Sequence, residues 1–374
     1  MIVNLILGIF SLYYLIITLY LHKGWRALPV SKSEQETRTT RVSILIAARN
    51  EEKHIANTIQ DILSQDYPKA LMEVIVVDDH STDNTAQIIR SFSDQGVHLI
   101  QLKENKPLNS YKKLAITQAI KRSTGELLVA TDADCRMGPG WLGTLVSVYQ
   151  KENAQLISAP VVYEGERNWF ELLQTLEFLF LIGLGAAGIG NKRPSTCNGA
   201  NLAYRREVFD ELNGFEGIDH IASGDDELFL HKVAEKYRDR VVFCKSFEAI
   251  VYTQAKETLS GFLSQRKRWA SKSVHYKNKS IVRLGVSIWL FNVVILAYAV
   301  LVAFLPQLWV YLLAAVILKL IAELIFMAPL CRFVRRPGLI AFLPLLSVIH
   351  VFYMTFIGVA GNWGTYQWKG RKVH

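Results

Sequence analysis

Residues Ile2 to Leu21 form an apolar run without a single charge, long enough to cross a bilayer as a helix of about 20 residues. Lys23, Trp25 and Arg26 follow at once, a basic cluster with an interfacial ring beside it. A cleaved signal peptide is the competing reading, but the run has no basic start and no small-x-small cleavage site. Three more apolar blocks lie at the other end, roughly Leu284 to Leu305, Leu308 to Leu330 and Leu339 to Ala360, with breaks at Pro306 and Pro337. The four blocks explain why 51% of the 374 residues are hydrophobic, more than an ordinary soluble enzyme of this size carries. One N-terminal and about three C-terminal transmembrane helices are therefore expected.

The second C-terminal block carries Lys319 and Glu323, four residues apart on one helix face. Charges at membrane depth are costly unless paired or turned inward, so a mutual ion pair inside a helix bundle is expected, with an ion pathway as the alternative. The formal net charge is +9. Much of the excess flanks membrane blocks (Lys23, Arg26, Arg332, Arg335, Arg336, Lys369, Arg371, Lys372), a pattern that fits cytosolic flanks and anionic membrane lipids, and no nucleic acid partner is expected. Cys135, Cys197, Cys244 and Cys331 show no metal-ligand spacing, as expected of reduced thiols on the cytosolic side or in the membrane.

Between the membrane blocks the pattern changes. Arg41 to Ala47 is a short β-branched run ending in AARNEE, and a helix follows with Ile55, Ile59, Ile62 and Leu63 on one face. MEVIVVDD, Val97 to Leu102 and Leu127 to Thr131 read as further strands, with helices over Asn84 to Phe92 and about Tyr111 to Lys121. Such alternation predicts an α/β domain with a mostly parallel sheet. Ligands of open sheets bind beyond the carboxyl ends of the strands. Three of these strands end in Arg49-Asn50-Glu51, Asp78-Asp79 and Asp132-Ala133-Asp134. Asp132 and Asp134 offer hard oxygen ligands suited to Mg²⁺ or Mn²⁺, which usually hold substrate phosphates as well. An Asp-x-Asp pair can also merely cap a helix, so the reading rests on the motifs around it.

Those motifs are ILIAARNEE, VVDDHSTDNT, YKKLAITQAI, TDADC, CNGANLAYRR, GDDELFL and QRKRW, in that order. On them the chain resembles a membrane-anchored family 2 glycosyltransferase with a GT-A (Rossmann-like) fold. Relatives of that kind include the cellulose, hyaluronan, chitin and poly-N-acetylglucosamine synthases and the ceramide glucosyltransferases. The resemblance implies that Ala47, Arg49 and Glu51 frame the nucleotide base and that Asp79 accepts from a uracil imide N–H. It implies that Lys112 reaches the diphosphate, although Tyr111 stands where a glycine is usual. Asp132 would face ribose and sugar, and Asp134 would ligate the metal. Of Asp225 and Asp226, the second would be the general base, since an acceptor hydroxyl needs a carboxylate within hydrogen-bond reach. A helix cap is the alternative use of this pair; both hold if Asp225 caps and Asp226 catalyses.

Gln265, Arg266, Arg268 and Trp269 match the Gln-x-x-Arg-Trp box, which would bring a planar guanidinium to phosphate and a flat wall to the acceptor. A basic amphipathic helix at the membrane surface is the competing reading. Asn198 and Asn201 are expected to bind acceptor hydroxyls. Trp169 to Gly190 is apolar but holds Glu171, Gln174 and Glu177. A full crossing there would part Asp134 from Asp226, so an interfacial helix is expected.

The expected organisation is a transmembrane helix over 1–22, a cytosolic GT-A domain over 41–255, an interfacial segment with QRKRW over 256–282 and a membrane region over 283–374. The expected reaction is inverting, metal-dependent transfer from a UDP-sugar to a lipid or glycan acceptor. A processive polysaccharide synthase, a sugar nucleotidyltransferase and a non-catalytic membrane protein are the alternatives.

Overall fold

The computed structural model describes residues 1–34, 38–104, 110–271, 276, 279–360, 366–368 and 371–373. The expected basic flank at Lys369, Arg371 and Lys372 and part of the 256–282 segment lie outside the described side chains. In chain order the main elements are α1 (Ile2–Ala27), β1 (Val42–Ala48), α2 (Ile55–Leu63), β2 (Met72–Asp78), α3 (Thr85–Arg90), β3 (Val97–Gln101), α4 (Tyr111–Arg122) and β4 (Leu127–Asp132). Next come β5 (Arg136–Met137), α5 (Trp141–Lys151), β6 (Leu156–Ser158), β7 (Val161–Tyr163), α6 (Trp169–Gly190), β8 (Leu202–Arg205) and α7 (Arg206–Glu211). Then follow α8 (Glu227–Tyr237), β9 (Val241–Phe243), β10 (Val251–Thr253), α9 (Leu259–Ala270), α10 (Lys279–Phe304), α11 (Trp309–Phe333) and α12 (Leu343–Ala360).

The chain divides into two compact units. The sheet unit holds Ala27–Glu164 and Leu184–Gln254, with Gln367–His374. Its main sheet has seven strands in the order β3-β2-β1-β4-β8-β6-β9. β1, β2, β3 and β4 are mutually parallel, as the alternation predicts. These strands are apolar almost throughout because both faces are covered: Ile44, Leu45, Ile46, Val76, Val77 and Leu127 to Val129 are fully buried. The α2 stripe of Ile55, Ile59 and Ile62 is buried too. β8 runs antiparallel between β4 and β6. Register then sets the site, because Ala48 pairs with Asp78 and Ala47 with Asp132. The polar ends of β1, β2 and β4 are level on one rim.

The helical unit holds Met1–Arg26, Gly165–Gly183 and Ala255–Tyr366. Leu7 and Tyr14 of α1 pack with Phe291, Ile295 and Tyr298 of α10, Ala322 of α11 and Val351 of α12. The outward faces stay apolar and exposed, among them Leu5, Ile9, Ile16, Ile317, Ile321 and Phe352, as lipid contact demands. Lys319 donates to Glu323 at 2.6 Å, both side chains buried, which is the expected mutual pair.

Among the described residues five helices, not four, are long and apolar enough to cross a membrane, α6 being the fifth. The chain is a multi-pass integral membrane protein, yet α6 has a constraint that the others lack. β4 precedes α6 and β8 follows it, and the two strands are hydrogen-bonded in one sheet. Both ends of α6 must therefore lie on one side of the bilayer. Its length suffices for a crossing, and the sheet forbids one.

Candidate active site

The rim of the sheet unit collects charge from four segments. Lys112, in the first turn of α4, donates to Asp132 at 2.7 Å and lies 3.3 Å from Asp225. Burial works against its charge, but Asp132, Asp225 and Asp226 outweigh that and hold the ammonium well above the ordinary lysine range. One cation thus joins the end of β4 to the acidic pair before α8.

Asp226 is the N-cap of α8: one carboxylate oxygen accepts from the Glu227 N–H at 2.7 Å, the other from the Gly199 N–H at 3.0 Å. The division of labour expected for this pair is therefore reversed in part. Asp226 caps, and Asp225 pairs with Lys112, because only the residue next to the helix can reach its first N–H. Gly199 is needed here: a Cβ would stand 3.3 Å from Asp225 Oδ2, 3.3 Å from Lys112 Nζ and 3.4 Å from Asp226 Cβ.

The ends of β1 and β2 are locked together. Arg49 donates to the carbonyls of Asp79 and His80 at 2.7 and 2.9 Å, and the Glu51 N–H donates to Thr85 Oγ1 at 2.8 Å. Asp79 is buried and its Oδ1 lies 2.9 Å from His80 Nδ1. Arg49 thus shapes this rim through backbone carbonyls. Ala47 is half-buried at the end of β1.

Asp134 is half-buried just past β4. Among the described residues no group of three His, Cys, Asp or Glu side chains could hold a metal alone. Cys135 is buried, and burial together with Asp134 and Asp132 pushes its thiol well up, so it supplies no soft thiolate. A single hard carboxylate fits Mg²⁺ or Mn²⁺ in its usual habit, with phosphate oxygens and water completing the shell.

Two residues depart from the sequence-based expectation. Asn201 is fully buried, donating to the carbonyls of Pro160 and Ala249 and accepting from the Trp141 indole; both amide protons and the amide oxygen are engaged in packing, away from the surface an acceptor would reach. Asn198 accepts from the Ala200 N–H at 2.9 Å and shapes the loop that offers Gly199. Lys113 went unnoticed in the sequence. Its buried ammonium donates to the carbonyls of Ile221 and Ser223, at 2.5 and 2.9 Å, and anchors the loop leading into Asp225. The signal was the tandem Lys112-Lys113, whose members face different sides of a helix.

In the helical unit, QRKRW lies on α9. Arg266 is buried and donates through Nε to both oxygens of Glu177 at 3.0 Å, with Nη2 also bonded to that carboxylate. Its Nη1 donates to Gln265 at 2.6 Å, and its guanidinium stacks 4.3 Å from the Trp269 ring. Arg266 is therefore taken up by Glu177 and by its motif neighbours, which leaves Arg268, half-buried, as the motif arginine suited to phosphate.

Residues 43–212 match the family model for Glycosyl transferase family 2. That segment, under half of the chain, is similar to a family 2 glycosyltransferase domain. The transferase domain and its flanks are similar to the β-monoglucosyldiacylglycerol synthase of Nostoc sp., 26% identical over 235 residues, which is 61% of this chain and 48% of that protein. They are also similar to the poly-β-1,6-N-acetyl-D-glucosamine synthase of Staphylococcus epidermidis, 26% identical over 271 residues, or 70% of this chain and 60% of that protein. The chain spans about half the length of the curated relatives it matches. Among solved structures, the mannosyltransferase PcManGT of Pyrobaculum calidifontis, in complex with GDP-Man and Mn²⁺, shares the fold at a TM-score of 0.57 and 19% identity, covering 94% of this chain and 98% of that one. The fold around the transferase domain is thus GT-A-like.

Proposed function

We propose that the chain transfers a sugar, with inversion, from a UDP-sugar to the hydroxyl of a lipid acceptor at the cytosolic face of a membrane. One observation carries the reading: Lys112 bridges Asp132, where the donor sugar would lie, and Asp225, beside the candidate base. Donor and acceptor chemistry thereby share one rim. Ala47, Arg49, Glu51 and Asp79 form the nucleotide end, and Lys112 supplies a cation whose charge is secured by its neighbours. A divalent cation on Asp134, when bound, neutralises charge developing on the departing diphosphate.

Asp226 accepts the acceptor's proton as its oxygen attacks the anomeric carbon and the sugar–phosphate bond breaks. A single displacement needs no covalent nucleophile, and inversion follows. By the family resemblance, the Gln-x-x-Arg-Trp box on α9 would bring the planar fork of Arg268 to phosphate and the flat ring of Trp269 to an acceptor. The Lys23 and Arg26 flank supports a cytosolic domain.

A second reading, a processive polysaccharide synthase, is favoured by the 271-residue similarity to the poly-N-acetylglucosamine synthase. Incubating membranes with labelled UDP- and GDP-sugars and sizing the product separates the two. A single-sugar lipid with release of UDP is expected. A labelled polymer selects the second reading, a GDP-sugar as sole donor overturns the uracil assignment, and release of pyrophosphate marks a nucleotidyltransferase.

A further inference from the structure

The first turn of α4 carries two lysines that serve different segments. Lys112 faces Asp132 and Asp225. Lys113 points elsewhere, because consecutive helix residues do not share a face. Its buried ammonium donates to the carbonyls of Ile221 and Ser223, at 2.5 and 2.9 Å. Both carbonyls belong to residues 212–226, which join α7 to α8 without helix or strand. No ladder of secondary structure supplies their donors there, and a side chain must.

Residues 221–226 are thus tied to one turn of α4 twice, through the main chain by Lys113 and through the Asp225 side chain by Lys112. A donor acts on the two ties differently. A diphosphate on Lys112 competes with Asp225 for the same ammonium, since both are anionic acceptors. Lys113 is buried and holds uncharged carbonyls, so its tie outlasts donor binding. Gly224 makes the difference matter. Its φ of +83° lies in the left-handed region, which glycine reaches without steric cost, and it stands directly before the acidic pair. Once the Asp225 tie is released, the Ser223 carbonyl is the last point at which α4 holds the chain ahead of that pair.

A second pin holds the other end of the segment. Lys232, on α8, donates to the carbonyls of Gly214 and Glu216 at 2.7 and 3.0 Å. Its chemistry is that of Lys113, an ammonium on two loop carbonyls, but its grip is far from Asp225. Phe215, between those carbonyls, is buried against Phe209 and Phe229, so packing holds that end as well.

We propose that Lys113 is a positioning residue for sugar transfer. It fixes Asp225 and Asp226 against the helical turn that presents Lys112, and one turn of α4 thereby sets the spacing between the donor's diphosphate and the acceptor's base. The role rests on the transferase reading, whereas the tie itself is tested without a sugar. The full chain in detergent would be compared with Lys113→Met and Lys232→Met by hydrogen–deuterium exchange, UDP titration calorimetry and transfer kinetics. Local opening should raise exchange over 221–228 in Lys113→Met and over 213–218 in Lys232→Met. Lys113→Met should bind UDP with unchanged affinity and stoichiometry and keep the KM for donor, yet lose about 10²-fold in kcat, the scale of a 1 Å misplacement. Lys232→Met should keep its kcat.

A general role in ordering the loop would make both variants lose kcat alike. A role in the donor site would weaken UDP affinity along with turnover. Either result overturns the proposal, as does full kcat in Lys113→Met. If Lys113→Met binds less than its full complement of UDP, it is misfolded, and Lys113→Gln, which keeps an N–H donor, carries the same comparison. Its kcat should fall about tenfold, the size of one lost hydrogen bond, and an unchanged kcat there overturns the proposal too. An unaltered chain that transfers no sugar would sink the transferase reading and the role within it. Exchange over 221–228 that ignores Lys113→Met would sink the tie alone.

Discussion

The Arg266–Glu177 pair makes a strong quantitative demand. Its side chains are 2% and 7% exposed, with Nε bonded to both carboxylate oxygens at 3.0 Å. Replacing one partner strands a charge in an apolar bundle, a loss of about 3–5 kcal/mol. Replacing both strands nothing, and apolar substitutes for buried pairs are often neutral in stability. Arg266→Met and Glu177→Met should each be severely destabilised, whereas the double variant should return to within about 1 kcal/mol of the original. A coupling energy of at least about 5 kcal/mol follows from single losses of about 3 kcal/mol each and a double loss of about 1 kcal/mol, well above the 0.3–0.5 kcal/mol scatter of independent sites. Unfolding by SDS in mixed micelles, followed by tryptophan fluorescence, measures all four corners of the cycle. Additive single effects would refute the reasoning, because the penalty would then come from lost packing against Phe262 and Trp269 and not from an unpaired charge.

Three further outcomes are expected at the rim. Chelation with EDTA should abolish transfer, Mn²⁺ or Mg²⁺ should restore it, and Asp134→Ala should be inactive yet folded; full activity in chelator would remove Asp134 from the site. Asp226→Asn keeps an N-cap but not a base, so turnover should fall about 10²–10⁴-fold with UDP affinity nearly unchanged; parallel loss of UDP binding would mark Asp226 as structural. Gly199→Ala should cut kcat about tenfold, part of the roughly 10² that a 1 Å misplacement brings, without lowering the unfolding temperature, which differential scanning fluorimetry checks.

Much of this was legible in the sequence because period and punctuation are local. Four parallel strands, their connecting helices and the rim at Asp79, Asp132 and Asp134 follow from apolar runs ending in acidic turns. β6, β8 and β9 are three or four residues long, too short to display a period, and their pairing comes from tertiary context. The uses of Arg266 and Asn201 were hidden for another reason. Their partners Glu177 and Trp141 are 89 and 60 residues away, and no spacing rule connects them. Lys319 and Glu323 lie one helical turn apart, and there the sequence sufficed for the pair.

The strand pairing across α6 has a consequence for how the protein is made. A 22-residue apolar segment emerging from the ribosome looks to the insertion machinery like any other span, and committing it to the bilayer would carry β8, α8 and β9 away from β4 and β6, the strands awaiting them. What marks α6 for rejection must be carried in the nascent segment itself. Glu177, nearest the middle, bears the main insertion penalty, of the order of the roughly 2.5–3.5 kcal/mol known for a central aspartate, and Glu171 and Gln174 add to it. These residues therefore act twice, first as a veto on translocation, and later, once β8 has zipped onto β4, as partners for Arg266, Arg167 and Lys256. Exchanging both glutamates for leucine would improve α6 as a membrane helix while dividing the transferase domain between two compartments.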